Sequence, residues 1–176
     1  MKCNSFLAVS GAVILILGLA HSAQAQSLWT SVASACTVDD SDLSDWVATY
    51  SHVGFKTGAS GYLALRYNVT NPEDDGSNTN WFRLYVTYRD PDGTGTGSRV
   101  RVFLRRTSRS SGSVSTIATF DSNTFTTTGT QTQSVNFSHT WNFYDYYYFL
   151  EAELYRTTGS TADVKTVGYA LQQSLE

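Results

Sequence analysis

The chain has 176 residues, of which 41% are hydrophobic, 15% charged and two proline, a composition that fits one folded domain and excludes a low-complexity or disordered protein. Twelve Lys and Arg against 15 Asp and Glu give a net charge of −3, which excludes bulk attraction to nucleic acid. Two cysteines are too few for a disulfide scaffold.

The first stretch, MKCNSFLAVSGAVILILGLAHSAQAQ, has Lys2 at its positive end, an apolar run from Phe6 to Ala20, and the small-x-small site Ala23-Gln24-Ala25. This pattern predicts a cleaved signal peptide over residues 1–25. The apolar run is short of the roughly 20 residues that span a bilayer, and a cleavage site follows it at once. No later segment is apolar enough to cross, so the expectation is a secreted product, periplasmic or extracellular, without membrane insertion.

Residues 26–45 read as an N-terminal extension. It begins SLWTSVASACT, which could add as a strand to a neighbour's sheet, and continues with the acidic run TVDDSDLSD. Once Cys3 leaves with the signal peptide, Cys36 is the remaining cysteine and cannot close an internal disulfide. A buried inert thiol is the first reading and an intermolecular disulfide the second.

From Trp46 to the end, apolar and polar residues alternate at period two, with Gly, Ser, Thr, Asn and Asp clusters between the runs. Strands are predicted at 46–55, 61–69, 81–89, 99–106, 114–120, 132–138, 146–156 and 164–171. Pro72 and Pro91 fall in links, and the Thr, Val, Tyr and Phe content suits half-buried pleated surfaces. The fold class is therefore all-β: a single antiparallel β-sandwich over residues 46–176, jelly-roll-like, of about eight strands. Asn68-Val69-Thr70 and Asn136-Phe137-Ser138 match the glycosylation acceptor pattern but lie in predicted strands.

If every strand crosses the sandwich once, alternate links share an end. The segments 37–45, 71–78, 107–113 and 139–145 would then gather Asp39, Asp40, Asp42, Asp45, Glu73, Asp74, Asp75, His139, Trp141 and Asp145 at one pole. Hard cations take six to eight oxygens, so Asp39, Asp40, Asp74 and Asp75 are candidate Ca²⁺ ligands, with solvated turns as the alternative. Asp90-Pro91-Asp92-Gly93 begins like a calcium loop, yet an Asp-Gly pair after a strand is first a turn signal. Zinc finds too few ligands in His52, His139 and Cys36.

The run 146–156, YYYFLEAELYR, splits by parity. Tyr146, Tyr148, Leu150, Ala152 and Leu154 face the core. Tyr147, Phe149, Glu151, Glu153 and Tyr155 face outward, because two glutamates are costly to bury unpaired. The strand at 99–106 likewise turns Arg99, Arg101, Phe103 and Arg105 away from Val100, Val102 and Leu104. Glutamates opposite arginines predict a cross-strand charge ladder. Two carboxylates on one face could also serve as a glycosidase acid and base.

With Arg106, Arg109, Arg83 and Tyr85, the arginines could instead meet an anionic polysaccharide. Trp141 marks a further aromatic candidate in the 139–145 loop.

These materials point first to a noncatalytic secreted carbohydrate-binding module, with Tyr147, Phe149, Glu151, Glu153, Tyr155, Trp141, Arg101 and Arg105 as ligand contacts. The alternative is a self-associating structural subunit of an extracellular fibre, matrix or surface assembly. A small jelly-roll glycoside hydrolase using Glu151 and Glu153 is the third reading. No cofactor beyond Ca²⁺ is suggested.

Overall fold

The computed structural model describes residues 28–71 and 80–173. The predicted signal peptide and the candidate ligands Asp74 and Asp75 lie outside the described residues. Among those described, eleven strands form: β1 (Leu28–Val32), β2 (Thr37–Val38), β3 (Trp46–Ala48), β4 (Val53–Phe55), β5 (Gly61–Val69), β6 (Trp81–Arg89), β7 (Ser98–Ser108), β8 (Val114–Asp121), β9 (Thr130–Asn136), β10 (Tyr146–Arg156) and β11 (Lys165–Gln173). No helix among them is long and apolar enough to cross a membrane.

The strands make two antiparallel sheets of a β-sandwich. One runs β3-β4-β11-β6-β9, with β1 pairing further along β11; the other runs β2-β5-β10-β7-β8. Counted from β4, the first sheet takes the first, eighth, third and sixth strands, and the second takes the second, seventh, fourth and fifth. That interleaving is the strand order of a jelly roll.

Alternation drives the packing. Leu63, Leu65, Val100, Val102, Leu104, Leu150, Ala152 and Leu154 from the second sheet, and Leu84, Val86, Tyr88 and Leu171 from the first, are completely buried. Each large aliphatic chain so buried contributes about 1.5–3 kcal/mol, which a one-residue slip of register would forfeit along a whole strand.

The structure corrects the sequence reading in three places. First, the run 46–55 is a hairpin. Thr49 Oγ1 accepts from the backbone N–H groups of Ser51 and His52, both at 3.2 Å, and turns the chain where the apolar positions change phase, from Trp46, Ala48 and Tyr50 to Val53 and Phe55. Second, the expected extension supplies two strands. β1 pairs with β11 from Leu28↔Gln172 to Val32↔Gly168 and inserts Trp29, 8% exposed, into the core. At Gly168 a β-carbon would meet the Ser31 carbonyl at 3.1 Å, so the missing side chain lets β1 lie close. Cys36 beside it is half-buried against the core, where burial pushes its thiol pKa up.

The third correction follows from the hairpin, which reverses the chain once more than expected. The acidic lead-in therefore runs along the outer edge of β5 toward the opposite end of the sandwich. Asp42 accepts the Ala64 N–H at 2.8 Å, and the Asp45 carbonyl accepts the Lys56 N–H at 2.8 Å. The link 107–113 meets 139–145 at one end, where Arg109 donates its backbone N–H to the Asp145 carbonyl, and 90–98 meets 157–163 at the other, where Thr157 donates to the Gly97 carbonyl, each at 2.9 Å; nearly all of the link 71–78 lies outside the described residues.

Asp39 is held by Arg66 in an ion pair, and Asp40 sits in a short 3-10 turn. Among the described residues no group of three or more His, Cys, Asp or Glu side chains is placed to hold a metal ion. The loop after β6 is an internal network instead. Buried Asp90 accepts from Ser98 Oγ at 2.6 Å and from Ser122 Oγ, while Asp92 accepts the N–H groups of Gly97 and Ser98 at 2.7 and 3.1 Å. Burial raises the Asp90 pKa against its serine partners.

Candidate functional site: the outward face of the second sheet

Strand register fixes which side chains stand beside one another on the solvent side of β5, β10 and β7. Tyr155 lies between Tyr62 and Arg99, Glu153 between Ala64 and Arg101, Glu151 between Arg66 and Phe103, and Phe149 between Asn68 and Arg105. Tyr147, opposite Thr107, ends the row. Every member follows from parity, since the neighbouring residues on each strand fill the core.

The charges pair across the strands. Arg101 donates to Glu153 at 2.5 Å, and Arg105 forms an ion pair with Glu151 at 2.9 Å. Arg99 grips Asp121 at the end of β8, and Arg66 grips Asp39 beyond β5. Both last pairs use two guanidinium nitrogens, the geometry that makes arginine–carboxylate pairs specific. Phe103 lies between two cations, with the Arg105 and Arg101 guanidinium carbons 4.7 and 5.4 Å from its ring centre. The predicted ladder is thus present, and Glu151 and Glu153 are each occupied by their own arginine.

Aromatic rings punctuate the ladder. Tyr62, 62% exposed, meets the Tyr155 ring at 4.8 Å in a tilted pair. At the far end Tyr147 is 59% exposed, with the Arg109 guanidinium 5.3 Å from its ring centre. Arg109 also donates to the Tyr144 carbonyl at 2.7 Å, which ties the 109–112 turn to the 139–145 loop. Beside β5, a groove of about 470 Å³ is lined by Thr37, Arg66, Tyr67, Asn68 and Phe149.

Two expected contacts are elsewhere. Trp141 is 5% exposed, stacks on Phe143 at 5.6 Å, and donates its Nε1–H to the Trp81 carbonyl at 3.1 Å. It is a core residue with no face left for a ligand. Arg83 and Tyr85 belong to β6 in the other sheet, so they do not extend the arginine row of β7. Conversely, Tyr62 and Tyr144 were not singled out in the sequence. The parity of 61–69, with Leu63, Leu65 and Tyr67 inward, was the available signal for Tyr62.

The Arg99–Asp121 pair has a pH signature. Burial works against the Asp121 carboxylate, but Arg99 and the Asn123 N–H hold its pKa below the usual carboxylate range. Asp163 is lowered in the same direction by Lys165 and Arg89. A lowered native pKa gives a contribution that is complete above the unfolded value of about 3.9 and is lost as pH falls through the native value. The melting temperature of the wild type is therefore expected to fall more steeply below about pH 4 than that of Asp121→Asn. Parallel curves from pH 6 to the acid limit would show that the pair adds nothing.

No protein-family model and no curated protein sequence matches the chain. Among solved structures, a family two carbohydrate esterase from Cellvibrio japonicus is similar at a TM-score of 0.41 and 16% identity, over 85% of this chain and 35% of that one. The chain thus spans about a third of that protein's length, and the likeness is too slight to carry over a site or a ligand.

Proposed function

We propose that the protein is a secreted, noncatalytic β-sandwich module that binds carbohydrate on the outward face of β5, β10 and β7. The observation that supports this reading is the alternation of outward-facing rings with fixed polar groups: exposed Tyr62 and Tyr147 at the ends of the row, and half-buried Tyr155, Phe103 and Phe149, among four ion pairs. Sugars present apolar C–H faces to aromatic rings and hydroxyls to charged groups, so this mixture suits them. The pairing of Glu151 and Glu153 with Arg105 and Arg101 favours structural and contact roles over the hydrolase reading.

A glycan array tests the proposal. Wild-type protein is expected to retain at least one class of glycan, and Tyr62→Ala and Tyr155→Ala each to weaken it about tenfold, or about 1.4 kcal/mol. Equal retention by wild type and both variants would remove the face from consideration.

A specific feature favours assembly as the second reading. The terminal strands β8 and β9 end their sheets among the described residues, and the stretch 110–138 has Asp121 as its single charged residue. Open edges without Lys, Arg or Pro lack the usual guard against strand pairing. Light scattering is expected to show concentration-dependent growth if this reading holds, and growth that Thr132→Lys suppresses; a strictly monomeric protein at all concentrations rejects it.

A further inference from the structure

The charge arrangement on the proposed face says which class of glycan it takes, an inference that rests on the carbohydrate-binding reading. Four arginines stand on or beside it: Arg66, Arg99, Arg101 and Arg105. Each is matched by a carboxylate of the same chain, namely Asp39, Asp121, Glu153 and Glu151. The ladder is therefore neutral along its length. We infer that the face binds an extended, uncharged glycan chain and rejects sulfated and uronate-rich polysaccharides.

Magnitudes decide between the two ligand classes. At the intermediate effective dielectric constant of a protein surface, unit charges in contact interact by several times the thermal energy. A sulfate or uronate that approaches Arg101 or Arg105 gains attraction of that order. The glutamate already seated there repels it by a similar amount, so the two nearly cancel. Displacing the glutamate exchanges one pair for another and strands a carboxylate that is only 13% or 23% exposed at its side chain.

An uncharged hydroxyl meets neither cost. It donates to a carboxylate oxygen and accepts from a guanidinium N–H, and hydrogen bonds to charged groups are the stronger kind. The ion pairs also hold both groups in place before the ligand arrives, which lowers the entropy lost on binding.

The second half of the inference, an extended chain, comes from the spacing of the rings. Tyr155 with Tyr62 lies at one end of the outward row and Tyr147 at the other. Eight residues of strand at about 3.4 Å each place them about 27 Å apart, with Phe103 and Phe149 between. That is the reach of an oligosaccharide, with an exposed ring at each end of the row in Tyr62 and Tyr147. Toward the end of the row lie Arg106 and Arg109, which have no carboxylate partner among the described residues: Arg106 covers the Tyr146 ring at 4.2 Å and donates to Ser115 Oγ at 3.0 Å, while Arg109 holds the Tyr144 carbonyl.

Affinity electrophoresis tests this with soluble xylan, galactomannan and mixed-linkage β-glucan as neutral probes, and heparin and polygalacturonate as anionic ones. The wild type is expected to be retarded by a neutral polymer, with affinity that changes less than about twofold between low and high salt because no net charge is exchanged. Glu151→Gln/Glu153→Gln, which frees Arg101 and Arg105, is expected to gain heparin retardation by roughly tenfold over the wild type at low salt.

Retardation of the wild type by the anionic polymers alone, falling steeply with salt, overturns the inference and leaves the carbohydrate reading standing. So does a double variant that folds and gains no heparin affinity. Retardation by no polymer of either kind removes the carbohydrate reading, and this inference with it.

Discussion

Trp141→Ala is expected to destabilise the protein by about 3–5 kcal/mol, the range for emptying a large aromatic site in a packed core. Trp141 is the hub of an aromatic cluster that closes one end of the sandwich. Its ring centre lies 5.0 Å from Trp81, 4.6 Å from Tyr148, 5.6 Å from Phe143 and 5.3 Å from His139. Tyr148 in turn accepts the Asn142 N–H at 2.9 Å and lies 3.1 Å from His139 Nε2, so the loop 139–145 is anchored by the same group. Removing the indole leaves a cavity that a two-sheet scaffold cannot collapse without moving β6 or β10. Trp141→Phe keeps most of the packing and leaves the Trp81 carbonyl without its Nε1–H donor, which is expected to cost about 1–3 kcal/mol. Urea denaturation reads both values as shifts in midpoint with an unchanged slope. A loss below about 1 kcal/mol for the alanine variant would mean that the ring is not a core member.

Arg156→Leu is expected to cost roughly 3 kcal/mol or more, since it breaks a buried charged hydrogen-bond network. Arg156 ends β10 and is 5% exposed. Its Nη2 donates to the carbonyls of Lys56 and Ala59, its Nη1 donates to the Ala162 carbonyl at 3.1 Å, and its guanidinium carbon lies 4.8 Å from the Phe55 ring centre. One side chain thus ties the link 56–60 to the link 157–164 and seals the end of the core opposite Trp141. Leucine fills much of the volume but leaves three carbonyls without that donor. Lysine keeps the charge on a single nitrogen that cannot fork to both links, so Arg156→Lys is expected to recover less than half of the loss. Thermal melts of the three proteins at one pH make the comparison; full rescue by lysine would show that charge alone matters there.

The outward row was legible because each long strand buries one face. Once Leu150, Ala152 and Leu154 must point inward, Tyr147, Phe149, Glu151, Glu153 and Tyr155 have no choice of side, and the same holds for Arg99, Arg101, Phe103 and Arg105. The salt bridges followed from that parity. What period two does not encode is reversal. The hairpin at Thr49–His52 is made by one threonine hydroxyl, and its trace in the sequence is only a change of phase, apolar at 46, 48 and 50 and then at 53 and 55. Missing it displaced the acidic lead-in by one end of the sandwich.

Sheet membership was equally silent. β6 and β7 are neighbours in sequence but lie in opposite sheets, so Arg83 and Tyr85 were joined to the wrong row. Trp141 failed for a different reason. It lies outside any strand, where alternation gives no instruction, and the rings of Trp81, Phe143 and Tyr148 that bury it come together through tertiary packing.

The most direct test of the account is to follow backbone amide shifts of the labelled protein while a neutral oligosaccharide is added. The account predicts perturbations confined to β5, β10 and β7, centred on Tyr62, Phe103, Glu151, Glu153 and Tyr155, with the interior and the β6 and β9 strands unchanged. Perturbations centred on Tyr85, Thr87 and Thr132 of the opposite sheet, or none for any glycan offered, would contradict it.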